Sequence, residues 1–306
     1  MAKSTFSGPL RTTFSGEGFR PVEKNSTTGV VTDRGRIGST KNADRFYLEE
    51  YWHQKPALNA VNIIDPDADS ASALAATQAA NKNFEVLGTN MTTALCTFNA
   101  TAAGIVLTTA GADADQAIVC PHLDSDQTIW TGTKWGTENQ VEWECSINTN
   151  AIDNQKLWAG LKLTNDQLIA TDANQAFFKF QTDATNSEAF DDYTYLHFVH
   201  SIGGTDYISQ LPITVAANTN YHLRIKFDSS RKMEIFVNGV QYNITGTSGS
   251  TGGTAVTAVE PGKQVTKSGA LTNDVDLIPY IGIEAGAAAA EAVNVHYQSM
   301  SRHVFE

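Results

Sequence analysis

Apolar and polar residues alternate strictly through Val141-Glu142-Trp143-Glu144-Cys145-Ser146-Ile147. Successive side chains of an extended chain point to opposite faces, so Val141, Trp143, Cys145 and Ile147 share one face. The same period of two runs through Leu157, Ala159, Leu161 and Leu163. It recurs in Tyr221, Leu223, Ile225 and Phe227, with His222, Arg224 and Lys226 opposite. A turn at Asp228-Ser229-Ser230-Arg231 leads into Met233, Ile235 and Val237 inward and Phe236 outward. Asn238-Gly239, both tolerant of positive φ, closes a two-residue hairpin into Val240-Gln241-Tyr242. Comparable strands are predicted around 92–98, 104–109, 116–120, 126–131, 176–182, 193–200, 206–211, 277–284 and 292–299. About a dozen short strands between residue 84 and residue 306 predict an all-β, two-sheet antiparallel sandwich.

Residues 1–45 are a different material. Gly8, Pro9, Gly16, Gly18, Pro21, Gly29, Gly35 and Gly38 stand among Ser, Thr and basic residues without sustained periodicity. Such a segment buries too little surface to fold alone and is predicted to be an extended N-terminal arm. Its aromatics recur, however: Ser4-Thr5-Phe6-Ser7-Gly8 is nearly repeated as Thr12-Thr13-Phe14-Ser15-Gly16, and Phe19 follows. Phe6, Phe14 and Phe19 are candidate plugs for pockets on a partner, with Arg11 and Arg20 as charge partners. A disordered tail with incidental phenylalanines, and an arm folded back on its own body, are the other readings.

Residues 46–83 form a linker in which Phe46-Tyr47-Leu48 and Tyr51-Trp52 can dock on the sandwich. Asp65-Pro66-Asp67 before an alanine-rich run predicts a short helix there, capped by Asp67 or Asp69. Within the body, residues 245–274 are Gly/Ser/Thr-rich and break the strand pattern. An excursion of that length is functional or disordered, and is predicted to be a second contact element in an assembly.

Charge sharpens this division. The first 45 residues hold eight basic and four acidic side chains, a net of +4 against −16 for the remainder, within a chain of net −12. An acidic body argues against a nucleic-acid binder, which needs a net basic face. No apolar run is long enough to span a membrane. The start, Met1-Ala2-Lys3-Ser4-Thr5, has no apolar core, so no secretory signal is expected. Three cysteines, Cys96, Cys120 and Cys145, lack metal-ligand spacing and read as small buried apolar residues.

Candidate chemistry is sparse. His197 and His200 lie three apart on a predicted strand, so their rings face opposite sides and no shared metal is expected. Neither a phosphate-cradling loop nor a dinucleotide fingerprint occurs, and no cofactor is expected. Retaining glycosidases need two carboxyl groups about 5–5.5 Å apart, and Glu142 and Glu144 are the best pair. With no third acid beside them, they read as solvated outward residues of an amphipathic strand, so no catalytic residue is assigned. Trp130 and Trp135 bracket the loop Thr131-Gly132-Thr133-Lys134 and are the candidate glycan-stacking pair.

Two resemblances extend this reading. Residues 195–242, with His222-Leu223-Arg224-Ile225-Lys226-Phe227-Asp228 running into Glu234-Ile235-Phe236-Val237-Asn238-Gly239, resemble concanavalin A-like (laminin G-like) jelly rolls. The chain lacks the metal-binding Asp/Asn cluster of the legume lectins and the Glu-x-Asp-x-x-Glu strand of the related glucanases. As a whole it resembles structural proteins encoded beside the capsid genes of tailed bacteriophages. That resemblance is carried by Ser4-Thr5-Phe6-Ser7-Gly8-Pro9, by Asn83-Phe84-Glu85-Val86-Leu87-Gly88-Thr89-Asn90, and by His122-Leu123-Asp124 through Trp130-Thr131-Gly132-Thr133-Lys134-Trp135-Gly136. It implies a non-enzymatic capsid decoration (cement) protein on the virion exterior, assembled in the host bacterial cytoplasm. Its partners would be the major capsid protein and sister subunits, in a homotrimer held by arm and loop insertion. A lectin-like carbohydrate-binding module and a tail or fibre component are the alternatives.

Overall fold

The alternating stretches do form strands, and the computed structural model places them in two packed sheets. The structure describes residues 22–24, 31–33, 45–58, 81–121, 134–182 and 188–303. In chain order the first strands are β1 (Val22–Lys24), β2 (Val31–Asp33), β3 (Arg45–Glu50), β4 (Pro56–Leu58), β5 (Asn81–Leu87), β6 (Cys96–Phe98), β7 (Ile105–Thr108) and β8 (Gln116–Pro121). Then come β9 (Glu142–Thr149), β10 (Gln155–Lys162), β11 (Gln175–Gln181), β12 (Tyr195–Ile202), β13 (Thr205–Thr214) and β14 (Thr219–Phe227). Last are β15 (Met233–Val237), β16 (Val240–Tyr242), β17 (Thr254–Ala255), β18 (Ile278–Ala285) and β19 (Ala292–His303).

One sheet has nine strands in the order β17-β13-β12-β11-β10-β18-β8-β5-β4. The other has eight, ordered β16-β15-β14-β9-β19-β7-β6, with β3 also paired to β19. Neighbours are antiparallel except β13–β17 and β4–β5. This is a two-sheet sandwich of the jelly-roll kind.

The core lies between the sheets. β9 contributes Trp143, Cys145 and Ile147, and β14 contributes Leu223, Ile225 and Phe227. They meet Leu157, Ala159 and Leu161 of β10, Phe178 and Phe180 of β11, and Ile281 and Ile283 of β18. Each buried Leu, Ile or Phe removed from water contributes roughly 1.5–3 kcal/mol, which fixes the register of strands with one solvated face. The hairpin at Asn238-Gly239 is as expected, with φ of 51° and 79° at its two central residues. His222 and Asn238 clasp it: the His222 N–H donates to Asn238 Oδ1 at 2.8 Å, and the Asn238 N–H donates to His222 O at 2.8 Å.

The body begins earlier than the periodicity indicated. β3 pairs with β19 from Arg45↔His303 to Glu50↔Gln298, and Leu48 and Trp52 are buried. Trp52 packs edge-on against Phe84 of β5, with ring centroids 5.4 Å apart. Within the basic segment, β1 and β2 pair as a short antiparallel ladder. The rest of that segment lies outside the described residues, as do the helix predicted after Asp65 and the strand predicted at 126–131.

Residues 245–274 turn out to be a strap bound to its own sandwich. The Ile244 N–H donates to Thr266 O at 2.9 Å, Val259 N–H to Gln241 O at 2.8 Å, and Leu271 N–H to Arg231 O at 3.0 Å. β17 adds a short parallel edge to β13, through Ser209↔Thr254 and Gln210↔Ala255. Ile244, Leu271 and Leu277 are the apolar anchors of this glycine-rich segment, each 1% exposed. Lys267 ties it further, to Asp228 at 2.9 Å and to Glu234. Its tip, residues 246–251, is exposed, as is the turn at residues 260–264.

Candidate functional site

The outward face of the nine-stranded sheet is largely buried over β8, β10, β11, β12 and β18. The strands beneath it carry Gln116, Ile118 and Cys120 on β8, Lys156, Trp158 and Lys162 on β10, and Gln175, Phe177 and Lys179 on β11. β12 adds His197, and β18 adds Tyr280 and Glu284. Glycines at the crossings let aromatic rings lie flat: a Cβ on Gly282 would come within 2.3 Å of Trp158 Cζ2. Trp158, Phe177, Ile118, Val199 and Ile208 form an apolar cluster on this face, with Ile169 and Phe190 packed over them from the connecting segments.

Three lysines lie in the same layer, and each meets a carboxylate. Lys156 Nζ is 2.6 Å from Glu284 Oε1, whose other oxygen accepts from Gln116 Nε2 at 2.6 Å. Lys162 Nζ sits 3.2 Å from Asp172 Oδ2, donates to Gln175 Oε1, and lies 4.3 Å from the centre of the Phe177 ring. Asp172 is satisfied in turn by the N–H groups of Leu163 and Thr164 and by the Thr164 hydroxyl at 2.9 Å. Lys179 pairs with Glu188 and donates to both the backbone and side-chain oxygens of Gln167, at 2.9 and 2.6 Å. Burial lowers both Lys162 and Lys179, against the opposing pull of Asp172 and Glu188; Lys179 falls to about 8. Isolated charges would be prohibitively costly there, so pairing is what allows these lysines inside.

At the rim of this layer the strap tip leaves a cup of about 490 Å³. Its walls are Thr247, Thr251, Gly252 and Asp191, and its apolar base is formed by Phe190 and Ile208. Phe190 is buried and stacks on His197, with centroids 4.1 Å apart and an interplanar angle of 13°. Burial lowers His197 to about 4, so its ring is neutral. Gly252, at φ 76°, places Asp191 Oδ1 only 2.9 Å from where a Cβ would lie, so a side chain there would collide with the carboxylate. Asp191 is exposed, and among the described residues no Lys or Arg pairs with it.

The opposite face of the sandwich, on the eight-stranded sheet, is open. Glu142 pairs with Arg224, whose guanidinium lies over Phe236 at 5.3 Å. Glu144 lies 3.5 Å from His222 Nε2 and accepts from Tyr297 Oη at 3.3 Å. Burial raises the Glu144 carboxyl, but His222, Arg224 and Tyr297 together outweigh it and hold the group below its ordinary value. It is ionised at neutral pH. Glu142 and Glu144 do share one face, as the alternation indicated, and each has its own basic neighbour.

Of the residues singled out from the sequence, Phe6, Arg11, Phe14, Phe19, Arg20 and Trp130 lie outside the described residues. Trp135 is corrected: it is 1% exposed, packs edge-on against Phe46 at 5.6 Å, and is no stacking platform. The segment after it is pinned by the Gly136↔Asp276 bridge and by Thr137 Oγ1 donating to Thr272 O at 2.6 Å, which directs the indole inward. His197 and His200 face opposite sides of the sheet, as expected. His200 lies on the inner side, stacked on Tyr207 at 4.6 Å, and burial lowers it to about 3. Cys96, Cys120 and Cys145 are buried, with burial raising each thiol above its ordinary value. Among the described residues no cluster of three metal-ligating side chains occurs. The cup and the lysine layer escaped sequence reasoning; Gly252 and Gly253 before a strand, and lysines within apolar runs, were the available signals.

No family model matches the chain, and no curated protein matches it. Among solved structures it is similar to a protein of unknown function from Shewanella oneidensis MR-1, with 8% identity and a TM-score of 0.44, covering 85% of this chain and 87% of that one. The Emp46p carbohydrate recognition domain is similar at 6% identity and a TM-score of 0.41, covering 71% and 88%. An alginate lyase from Corynebacterium sp. is similar at 10% identity and a TM-score of 0.41, covering 71% and 93%. At these values the assignment of function falls to this chain's own residues.

Proposed function

We propose that the chain is a non-enzymatic structural component of a bacteriophage particle, a decoration protein on the capsid exterior. Its sandwich is the rigid body, and its basic arm is the fastening to the major capsid protein and to sister subunits. One observation carries this reading. The outward face of the nine-stranded sheet is filled from within, with Lys156, Lys162 and Lys179 paired to the chain's own carboxylates. A face spent in that way serves rigidity. The charge contrast of +4 against −16 supports the arm as an electrostatic fastening. The phage-like stretches from Ser4, Asn83 and His122 are consistent with it.

The test is occupancy on capsids. Chains lacking residues 1–21, and full chains carrying Arg11→Gln with Arg20→Gln, are added to shells and the bound copies counted by electron microscopy. The shortened chain should leave shells bare while keeping an unchanged thermal melt. Full coating without the arm refutes the proposal. So would turnover of any polysaccharide by the intact chain.

A further inference from the structure

The geometry points to the strap cup as the receptor for an arginine of the N-terminal arm of a second copy of this chain. This rests on the reading of the arm as a fastening and says where one end of it attaches.

The cup has four properties that suit that guest. Asp191 offers an exposed carboxylate at the wall, with Asp192 beside it in sequence, and among the described residues the lining holds no cation to neutralise it. Thr247 and Thr251 add hydroxyl groups beside the carboxylate. Gly252 and Gly253 pack with their bare Cα atoms against Asp191 and against His197 and Ile208, which holds the strap close and the carboxylate at the cup wall. Phe190 and Ile208 give the methylene stem of an arginine an apolar base. A planar guanidinium can bond a carboxylate with two parallel hydrogen bonds, which a saccharide hydroxyl cannot match in charge.

The arm fits in composition and in reach. Arg11 is followed by Thr12 and Thr13, and Arg20 by Pro21, so neither has a bulky residue immediately after it. The 21 residues before β1 can extend to about 70 Å, several times the roughly 18 Å radius of gyration of a body this size. Each copy offers one arm and one cup. Arm-to-cup contacts are therefore head-to-tail, and they close into a ring when the rotation permits.

Two full-length variants, Thr12→Cys and Thr251→Cys, are mixed and oxidised, and the experiment is repeated with Phe19→Cys in place of Thr12→Cys. The native cysteines are buried, which keeps the background low. Disulfide-linked pairs of unlike chains are expected, reduced at least tenfold when the Thr251→Cys partner also carries Asp191→Lys. Asp191 is exposed, so that variant should melt with the parent. Absence of mixed pairs overturns the inference, as do pairs indifferent to Asp191→Lys. A full-length chain carrying both Thr12→Cys and Thr251→Cys that links only within itself overturns the second copy as the source. Neutral glycans bound by the parent and lost in Asp191→Asn would make the cup a saccharide site instead. If Asp191→Lys coats capsids fully while arm deletion strips them, the arm remains a fastening and only its docking place is wrong.

Discussion

The two outer faces of the sandwich carry polar residues at the same alternate positions and use them in opposite ways. On β14, His222, Arg224 and Lys226 stand at the surface, and their partners Glu142 and Glu144 are half-buried neighbours on β9. On β10 and β11, Lys156, Lys162 and Lys179 occupy equivalent outward positions but are buried. The difference lies in what covers them. The segments holding Gln167, Ile169, Asp172, Glu188 and Phe190 fold over the nine-stranded sheet, each bringing an acceptor or an apolar lid. Outward on a strand therefore means solvated only when no connection returns across that face.

The strongest way to break this comparison is to remove one buried lysine. Lys162→Met leaves Asp172 charged and buried and should destabilise the chain by about 3–5 kcal/mol in urea unfolding. Lys226→Met on the open face should change stability by less than about 0.5 kcal/mol. Adding Asp172→Asn to Lys162→Met should recover most of the loss; no recovery would mean that the pair is not what holds the lid.

Acid should act on both sides of the same sheet, through His197 on its outward face and His200 on its inner one. Burial holds His197 at about 4 and His200 at about 3, each below the ordinary imidazole value near 6.5. The unfolded chain binds protons at these rings that the folded chain does not, so stability rises with pH across that window. It is lost as pH falls from 6.5, by up to about 1.4 kcal/mol per pH unit for each ring. His197→Phe, which keeps the stack on Phe190, should remove one ring's share of that slope between pH 6.5 and 4. An unaltered slope would show that His197 is hydrated.

Smaller effects sharpen the picture. Gly282→Ala should cost about 1–3 kcal/mol, because its methyl would collide with the Trp158 ring. A neutral outcome in thermal melts would mean that the lid is loosely packed. Arg224→Ala on the open face removes a half-buried pair and the contact with Phe236. It should cost about 0.5–1 kcal/mol, less in high salt.

Much of the fold was legible because half of it obeys the simplest rule. β9, β14 and β15 have one wet face, so their alternation reads directly, and Asn238-Gly239 announces its own turn. β10 also showed its core residues and β11 its strand, yet nothing local distinguishes a solvated lysine from Lys162, whose partner is ten residues away on a separate segment. β3 escaped because Phe46, Leu48 and Trp52 lie beside a segment without periodicity, and their pairing is with residues some 250 positions later. Trp135 reads as a loop tryptophan from its glycine and threonine neighbours; only the bridge from Gly136 to Asp276 turns it inward. The strap looked like an unanchored excursion because its anchors, Ile244, Leu271 and Leu277, are widely spaced.

The position of β19 has a consequence for how the chain is made. It is the last of the described strands in chain order, yet it lies in the middle of its sheet, against β9 on one side and β7 and β3 on the other. While the ribosome is still elongating, β3 and β7 emerge early and wait with their inner edges unmatched. The eight-stranded layer becomes continuous only once β19 has been made, so its closure waits on pairings far apart along the chain, which slows folding.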